Sequence, residues 1–419
     1  MRVLVVSNLY PPHLLGGAEI LCAQVAADLC RRGHVVEVLT SDHGLPPGGA
    51  PSRGEAPTGL SGGPIVHREL GLYQPFSQPG RVLRAARWAV GRRNRDRTRA
   101  RIAAFSPDVA LVYSLRRLTV GPARALQDAG IPSLYSFNDD AIASYRPAAF
   151  GWPPRKLAAW ALDRTLARST TLAGLDLSRA TCISLDLKLR LLAAGVPARE
   201  AAVQHQGIPL ARFPRKDRLG VVGKPPRLLF AGQLYAMKGV ETLIEAAGLL
   251  ARRLPIAVSI AGEGAAGESL REQARRGPAR IDFLGKVAHA EMPRLYREHD
   301  VFVFPSLPEE AFGLTQLEAM ASGTPVVSSD RGGHAELVRD GINSLTFPAG
   351  DAARLAAQLE RMICEQGLAE RLALRAREDV EGRHSLEGYA AQLEASLVAA
   401  RLSRGTPAAP GRAREGFAQ

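Results

Sequence analysis

Two successive series of short apolar runs, each followed by a helical pattern, constrain the fold of this chain more than any other feature. The first series begins with strand-like runs at Val3–Val6 and Val35–Leu39, separated by a helical pattern at Ala18–Arg32. The second series begins at Arg227–Ala231 and Ile256–Ala261, where strand-like runs again alternate with helical patterns. Strands that alternate with helices form parallel sheets, and ligands bind at the carboxyl ends of those strands. The sequence therefore predicts an α/β protein with two halves in tandem.

A charged stretch rich in proline and glycine, residues 212–227, separates the two series and is typical of an interdomain linker. We predict a first domain over residues 1–215 and a second domain over residues 216–385. A closing helix is predicted at residues 386–402. Residues 403–419 are rich in small and polar residues and in proline, so we expect a disordered tail.

Composition narrows the class of protein. The 419 residues are 46% hydrophobic, which is enough for two cores, and the net charge is +13. The four cysteines form no C-x-x-C pair, so neither a disulfide framework nor a zinc site is expected. The opening RVLVVSNLY is a buried-strand pattern rather than a secretion signal, and no apolar run reaches the length of a membrane-spanning helix. We therefore expect a cytoplasmic protein.

The segment Arg81–Arg101 carries a dense series of arginines interleaved with Leu83, Trp88 and Val90. A basic helix with apolar residues can lie on anionic lipid, so peripheral contact with the inner face of the membrane is one expectation. A solvated helix in an arginine-rich protein is the alternative. We expect no nucleic-acid partner, because no binding module is visible and only 5% of the residues are aromatic.

The most informative stretch is Pro305–Gly341, which follows a predicted strand and opens a helix. Gly313 has no Cβ and lets the backbone approach a ligand, and the amides beside it at a helix N-terminus suit phosphate oxygens. Glu310 precedes this helix and Glu318 lies about one turn inside it. Paired carboxylates accept hydrogen bonds from vicinal hydroxyls, which indicates a polyhydroxylated ligand.

This stretch resembles the E-x7-E donor-site signature of glycosyltransferase family 4. Further segments in the same order resemble that family: PPHLLGGAEI, RRGHVVEVLT, QGIPLARF, AGQLYAMKGVETLIEA and GGHAELVRDG. The resemblance implies a GT-B fold, in which two Rossmann-like domains face each other across a cleft. It also implies a C-terminal helix that crosses back to the first domain.

The resemblance further implies roles for individual residues. Glu318 would bind the nucleotide ribose, Glu310 the donor sugar, and Lys238 the diphosphate. The other donor-binding residues implied are Gly16, Gly17, Gly232, Gln233, Gly262, Glu263, Val287, Ala311, Phe312, Gly313 and Leu314. Together with Glu310 and Lys238, we predict Asn138 and Asp139 as catalytic residues. The resemblance implies retaining transfer without a metal or another cofactor.

Two positions depart from the family pattern. Gln233 stands where the family usually has arginine, so the site lacks that positive charge. Asn138 stands where the family often has histidine, and asparagine cannot take up a proton at neutral pH. The pair Asn138–Asp139 can instead form a turn or a helix cap. His34 and His289 are interpreted as structural.

The predicted function is retaining transfer of a sugar from a nucleotide-sugar donor to a cell-envelope, polysaccharide, lipid or small-molecule acceptor. The departures at Gln233 and Asn138 keep a second interpretation open, a non-catalytic protein that binds nucleotides or carbohydrates on the same fold. A sugar-nucleotide epimerase on a related scaffold is the third, although the E-x7-E context argues against it.

Overall fold

The computed structural model describes residues 1–44, 63–76, 84–146, 170–222, 224–308 and 310–403. Over these ranges it contains two parallel β-sheets, one from each series of strands, with helices packed on their faces. The predicted boundary between residues 215 and 216 falls in the connection between the two sheets.

The first sheet occupies the N-terminal half. Its strands are β1 (Arg2–Val6), β2 (Val35–Ser41), β3 (Ile65–Leu70), β4 (Val109–Val112), β5 (Ser133–Phe137), β6 (Ala180–Cys182) and β7 (Ala202–Val203). They pair in the order β3-β2-β1-β4-β5-β6-β7. In the central strand, Val3 lies opposite Val36 on one side and Val109 on the other. All three valines are buried, because helices cover both faces of a parallel sheet.

The helices of this half follow their strands in sequence. They are α1 (Gly17–Arg31), α2 (Arg84–Phe105), α3 (Gly121–Asp128) and α4 (Leu185–Ala193). Glu19 fixes the start of α1, since its carboxylate accepts the Gly16 N–H at 2.9 Å in a capping box. Ser184 caps α4 by accepting the Leu187 N–H at 3.1 Å.

The second sheet repeats the topology of the first. Its strands are β8 (Arg227–Ala231), β9 (Ala257–Ala261), β10 (Arg280–Gly285), β11 (Val301–Phe304), β12 (Val326–Ser329) and β13 (Leu345–Phe347), and their order is β10-β9-β8-β11-β12-β13. The helices are α5 (Val240–Leu250), α6 (Gly267–Arg276), α7 (Met292–Glu298), α8 (Leu314–Ala321), α9 (Ala352–Cys364) and α10 (Leu368–Arg383). In both sheets the strand order reverses beside the first strand, and ligands of open α/β sheets bind at such a point.

The last helix, α11 (Leu386–Leu402), leaves the second half and packs on the first sheet. Its fully buried Leu393 and Leu397 share one hydrophobic cluster with Val3 of β1 and Leu21 of α1. Each such buried side chain contributes about 1.5–3 kcal/mol relative to an exposed one. The predicted crossing helix is therefore confirmed, and it ties the two ends of the chain together.

The predicted two-domain α/β architecture is confirmed, and most strands lie within a residue or two of their predicted bounds. The structure also adds elements that the sequence analysis did not predict, namely β3, β7, β13, α10 and the short helices α3, α4, α6 and α7. Apart from Ser403, the predicted disordered tail at residues 403–419 lies outside the described residues.

Candidate active site

A cleft of about 510 Å³ lies between the two domains, at the carboxyl ends of their strands. Ligand pockets generally measure about 300–1,000 Å³, so this cleft is large enough for a nucleotide-sugar. All the residues predicted to bind the donor line it: Gly16, Gly17, Gly232, Gln233, Lys238, Gly262, Glu263, Val287, Glu310, Ala311, Phe312, Gly313, Leu314 and Glu318. Residues scattered over the sequence therefore meet in one cavity.

The loop between β11 and α8 forms one wall of the cleft. Gly313 begins α8 with a φ of +103°, in the left-handed region that glycine adopts without strain. A Cβ at this position would lie 3.0 Å from the Cβ of His334 and 3.1 Å from the Phe304 ring, so the loop has no room for a side chain. The first turn of α8 then presents free amides and a positive dipole end to the cleft, which suits phosphate oxygens.

Glu310 and Lys238 form an ion pair within this cleft. The Ser306 hydroxyl lies 3.4 Å from the same Glu310 oxygen. Burial by itself would raise the pKa of the Glu310 carboxyl, but the charge and hydrogen bond of Lys238 outweigh it, and His334 and Ser306 add to that effect. The net result is a lowered pKa. Glu310 is therefore an anion at neutral pH, and both of its carboxylate oxygens act only as hydrogen-bond acceptors.

Glu318 lies on α8 and is 6% exposed. One carboxylate oxygen is 2.9 Å from Nε2 of His289, and the other accepts a hydrogen bond of 2.7 Å from the Tyr296 hydroxyl. Burial, followed by the charge of Glu318, raises the pKa of Tyr296, so this hydroxyl stays protonated and donates. The two partners fix the carboxylate while it remains at the cleft surface.

The loop of the first domain that carries Gly16 and Gly17, the Gly-Gly loop, lines the cleft and faces the second domain. A Cβ on Gly17 would lie 2.8 Å from Cδ1 of Leu314, so glycine permits the close approach of the two domains. Gln233 donates a hydrogen bond of 2.6 Å across the cleft to the carbonyl of Leu15. The residue that replaces the usual arginine thus holds the Gly-Gly loop against the second domain.

Asn138 lines the same cleft, whereas Asp139 does not. The Asn138 amide donates to the carbonyl of Tyr113 at 2.9 Å, and its oxygen accepts from Gln206 at 2.9 Å. The Asp139 side chain accepts the N–H of Ala141 at 2.9 Å, which is the turn geometry that the sequence reading kept as an alternative. Asp139 lines a small cavity beside the cleft, so the four predicted catalytic residues do not all meet.

Sequence reasoning missed three residues of the site. His289, interpreted as structural, lines the cleft and contacts Glu318. Tyr296 was not singled out, although its hydroxyl holds the same carboxylate. His334 lies beneath Gly313 and beside Glu310, and the only signal for it was its place in the motif GGHAEL. His34, in contrast, contacts the N-terminal amine and Glu394 away from the cleft, as a structural residue would.

Two further findings concern the described parts of the chain. They contain no group of three or more histidine, cysteine, aspartate or glutamate side chains placed to hold a metal ion. None of the helices described is both long and apolar enough to cross a membrane.

Two Rossmann-like domains with a cleft between the carboxyl edges of their sheets define the class of GT-B glycosyltransferases. The sucrose-phosphate synthase of Thermosynechococcus elongatus superposes with a TM-score of 0.70 at 20% identity, covering 95% of this chain and 99% of that one. The Anabaena HepE structure in complex with UDP and glucose superposes with a TM-score of 0.66 at 20% identity, covering 95% and 100% of the two chains. At these identities the similarity establishes the fold.

Sequence comparison gives the family. The model described as Glycosyltransferase Family 4 matches residues 15–212, and the model described as Glycosyl transferases group 1 matches residues 225–365. A glycogen synthase of Mycobacterium tuberculosis is 30% identical over 400 residues, which is 90% of each chain. This chain belongs to glycosyltransferase family 4, and it is a transferase that uses nucleotide-sugar donors.

Proposed function

We propose that the protein transfers a sugar from a nucleotide-sugar with retention of anomeric configuration and without a metal ion. One observation carries the proposal: Glu310, Lys238 and Glu318 line a single cleft around the N-terminus of α8. The two carboxylates can accept hydrogen bonds from the hydroxyls of a ribose and of a sugar, and the ammonium can neutralise charge on a diphosphate.

The positions of these groups support a division of roles. Glu318 lies within α8, where its carboxylate is fixed by His289 and Tyr296 and can accept the ribose hydroxyls. Glu310 precedes the helix and faces the donor sugar. The diphosphate lies between them, against the amides around Gly313 and the ammonium of Lys238.

Glycosyl transfer builds negative charge on the departing diphosphate. Fixed amides and cations stabilise that charge when no metal is present, and one such group typically contributes about 10²–10³ in rate. Because the Gln233 amide is neutral and donates to Leu15, Lys238 is the cation we assign to the leaving group. We infer that Lys238 leaves Glu310, at least in part, when the diphosphate binds.

Among the described first-domain residues that line the cleft there is no carboxylate or imidazole to act as a base, and this supports retention. Asn138 takes the usual histidine position, cannot accept a proton at neutral pH, and uses both side-chain atoms to hold Tyr113 and Gln206. We propose that an oxygen of the leaving phosphate removes the proton from the acceptor hydroxyl. The acceptor then attacks on the face of the sugar from which the phosphate departs. Asn138 then shapes the acceptor side, and Asp139 holds the adjoining turn.

The acceptor is proposed to be a glycan, lipid or small molecule of envelope or polysaccharide synthesis. Contact of the segment Arg81–Arg101 with anionic lipid forms part of this proposal, although residues 81–83 lie outside the described ranges. Four arginines of α2 already form ion pairs with acidic residues of the first domain: Arg93, Arg95, Arg99 and Arg101. We therefore expect weak binding to phosphatidylserine vesicles and none to phosphatidylcholine vesicles in a sedimentation assay. Equal binding to both would refute a charge-based contact.

The donor is tested by thermal-shift measurements with UDP, GDP, ADP and their sugars. A ligand at about 100 times its dissociation constant stabilises the fold by roughly 2.7 kcal/mol, and Glu318→Ala should clearly reduce the shift at the same ligand concentration. NMR of the product with the identified donor should show the donor's anomeric configuration, with turnover unchanged by a metal chelator. An inverted product, or loss of turnover on chelation, would refute the mechanism.

A further inference from the structure

His334 is a fully buried histidine that the proposed mechanism does not use. It follows Gly333 in a short 3-10 turn (Gly333–Leu337) after β12. Its Nε2 lies 2.8 Å from the hydroxyl of Ser329, and that hydroxyl donates its own proton to the carbonyl of Ser306 at 2.5 Å. Ser329 must then accept from the ring, so Nε2 carries the hydrogen and Nδ1 has the lone pair.

The Nδ1 atom of His334 has no hydrogen-bond partner. It is buried, and neither a donor nor an acceptor among the described residues lies within hydrogen-bond distance of it. A Cβ placed on Gly332 would lie 3.2 Å from Nδ1, 3.1 Å from the carbonyl oxygen of Glu310 and 2.9 Å from that of Pro308. Nδ1 therefore lies near the backbone of Glu310, and its lone pair is buried without a hydrogen bond, which costs free energy.

Three charged groups act on this imidazole, and two of them, Glu310 and Lys238, line the cleft. Glu310 and Asp330 favour a proton on the ring, whereas Lys238 opposes it. Burial is the largest effect, and together these influences lower the pKa of His334 to about 4. With Lys238 paired to Glu310, the ring is thus neutral.

Donor binding changes this balance. A diphosphate that draws the ammonium of Lys238 away removes the counter-ion of Glu310 and the repulsion on His334 in the same step. The buried carboxylate then needs another cation, because an uncompensated buried charge is costly. His334 is the titratable neighbour that can become one.

We propose that His334 is a positioning residue for Glu310, and that it takes up a proton at Nδ1 when the donor diphosphate engages Lys238. The inference rests on the proposed function. The proton comes from solvent, and the positive charge of protonated His334 replaces that of Lys238 in stabilising the Glu310 carboxylate. The charged carboxylate thus remains fixed for the sugar hydroxyls throughout binding.

The test is isothermal titration calorimetry near pH 6 in two buffers of different ionisation enthalpy. The probes are UDP-glucose, GDP-mannose and ADP-glucose, whose esterified diphosphates do not titrate near neutral pH. We expect uptake approaching one proton per bound donor, with a dissociation constant that rises by up to about tenfold per pH unit. The free nucleosides should give no uptake.

In His334→Gln, which keeps a donor for Ser329, the uptake should fall to near zero and the dissociation constant should become independent of pH. No uptake in the parent, or equal uptake in the variant, overturns the inference. If His334→Gln fails to fold, His334→Asn replaces it. The proton uptake measured with the parent protein tests the inference even without either variant. Binding of none of the three donors would instead count against the proposed function.

A spectroscopic measurement distinguishes a positioning role of His334 from a purely structural one. In Lys238→Ala, nitrogen-15 NMR should show His334 protonated at higher pH than in the parent, since the repelling ammonium is gone. An unchanged tautomer and titration in this variant would also overturn the inference.

Discussion

Lys238 and Glu310 form an ion pair although 72 residues separate them in sequence. Lys238 ends the turn after β8, and Glu310 lies in the loop after β11, its neighbour in the sheet. The two side chains are only 19% and 13% exposed, so solvent screens them poorly. The pair holds a cation where the diphosphate is proposed to lie, before the donor arrives.

Lys238→Ala should lower turnover by about 10²–10³, because it removes the cation assigned to the leaving group. Steady-state kinetics with the identified donor measures this. Lys286→Ala is the matched control, since Lys286 also lines the cleft but is exposed and outside the ion pair. Equal losses in both variants would show a general charge effect rather than a specific role.

Glu318→Ala should weaken nucleotide binding more than it lowers turnover at saturating donor. Hydrogen bonds to a charged group contribute about 1.5–3 kcal/mol, which corresponds to a loss of roughly 10- to 150-fold in affinity. Calorimetry with the nucleoside diphosphate measures it. Tyr296→Phe removes only the hydroxyl that supports the carboxylate, so its effect should be smaller. A larger loss in Tyr296→Phe would contradict the assignment.

His334 should make stability depend on pH. Its pKa is lowered from 6.5 to about 4 in the folded protein, so between these values the unfolded chain binds more protons. Stability is therefore full above about pH 6.5 and falls as the pH drops towards 4, by roughly 3 kcal/mol for this group. Urea unfolding of the parent and of His334→Gln should show a weaker dependence in the variant. Parallel curves would refute the prediction.

Leu397→Ala should destabilise the fold by about 2–5 kcal/mol, because it leaves a cavity between α11 and the first sheet. Val398→Ala is the control on the same helix, since Val398 is 38% exposed whereas Leu397 is fully buried. Denaturant unfolding compares them. A similarly small loss of unfolding free energy in both variants would mean that α11 contributes little to the stability of the first domain.

The local pattern of apolar residues was sufficient to predict the central strands of both sheets. Val3–Val6 and Val301–Phe304 are apolar throughout because they are buried on both faces, and such runs are visible without any structure. β13 has only three residues, and α10 carries many charged residues, so neither gives a clear period. These elements form because the sheet and the neighbouring helices bury them.

The donor site was predicted from motifs, and the cleft brings together every residue in that prediction. The roles of those residues remain predictions until the variants are measured. Motifs did not predict the position of the Asp139 side chain. Its carboxylate accepts a hydrogen bond within its own turn, so Asp139 lies outside the cleft although the preceding residue, Asn138, lines it.

By itself the sequence determined the two-domain α/β class and the family, and it predicted Glu310 and Glu318 as the centre of the donor site. Those features depend on local spacing and buried periodicity, which a linear chain records. Tertiary structure alone decided that Lys238 pairs with Glu310 and that Gln233 holds the Gly-Gly loop. It also decided that His334 lies beneath Gly313, in the loop before α8. Such contacts join residues far apart in the chain, so they exist only after the two sheets have brought their carboxyl edges together.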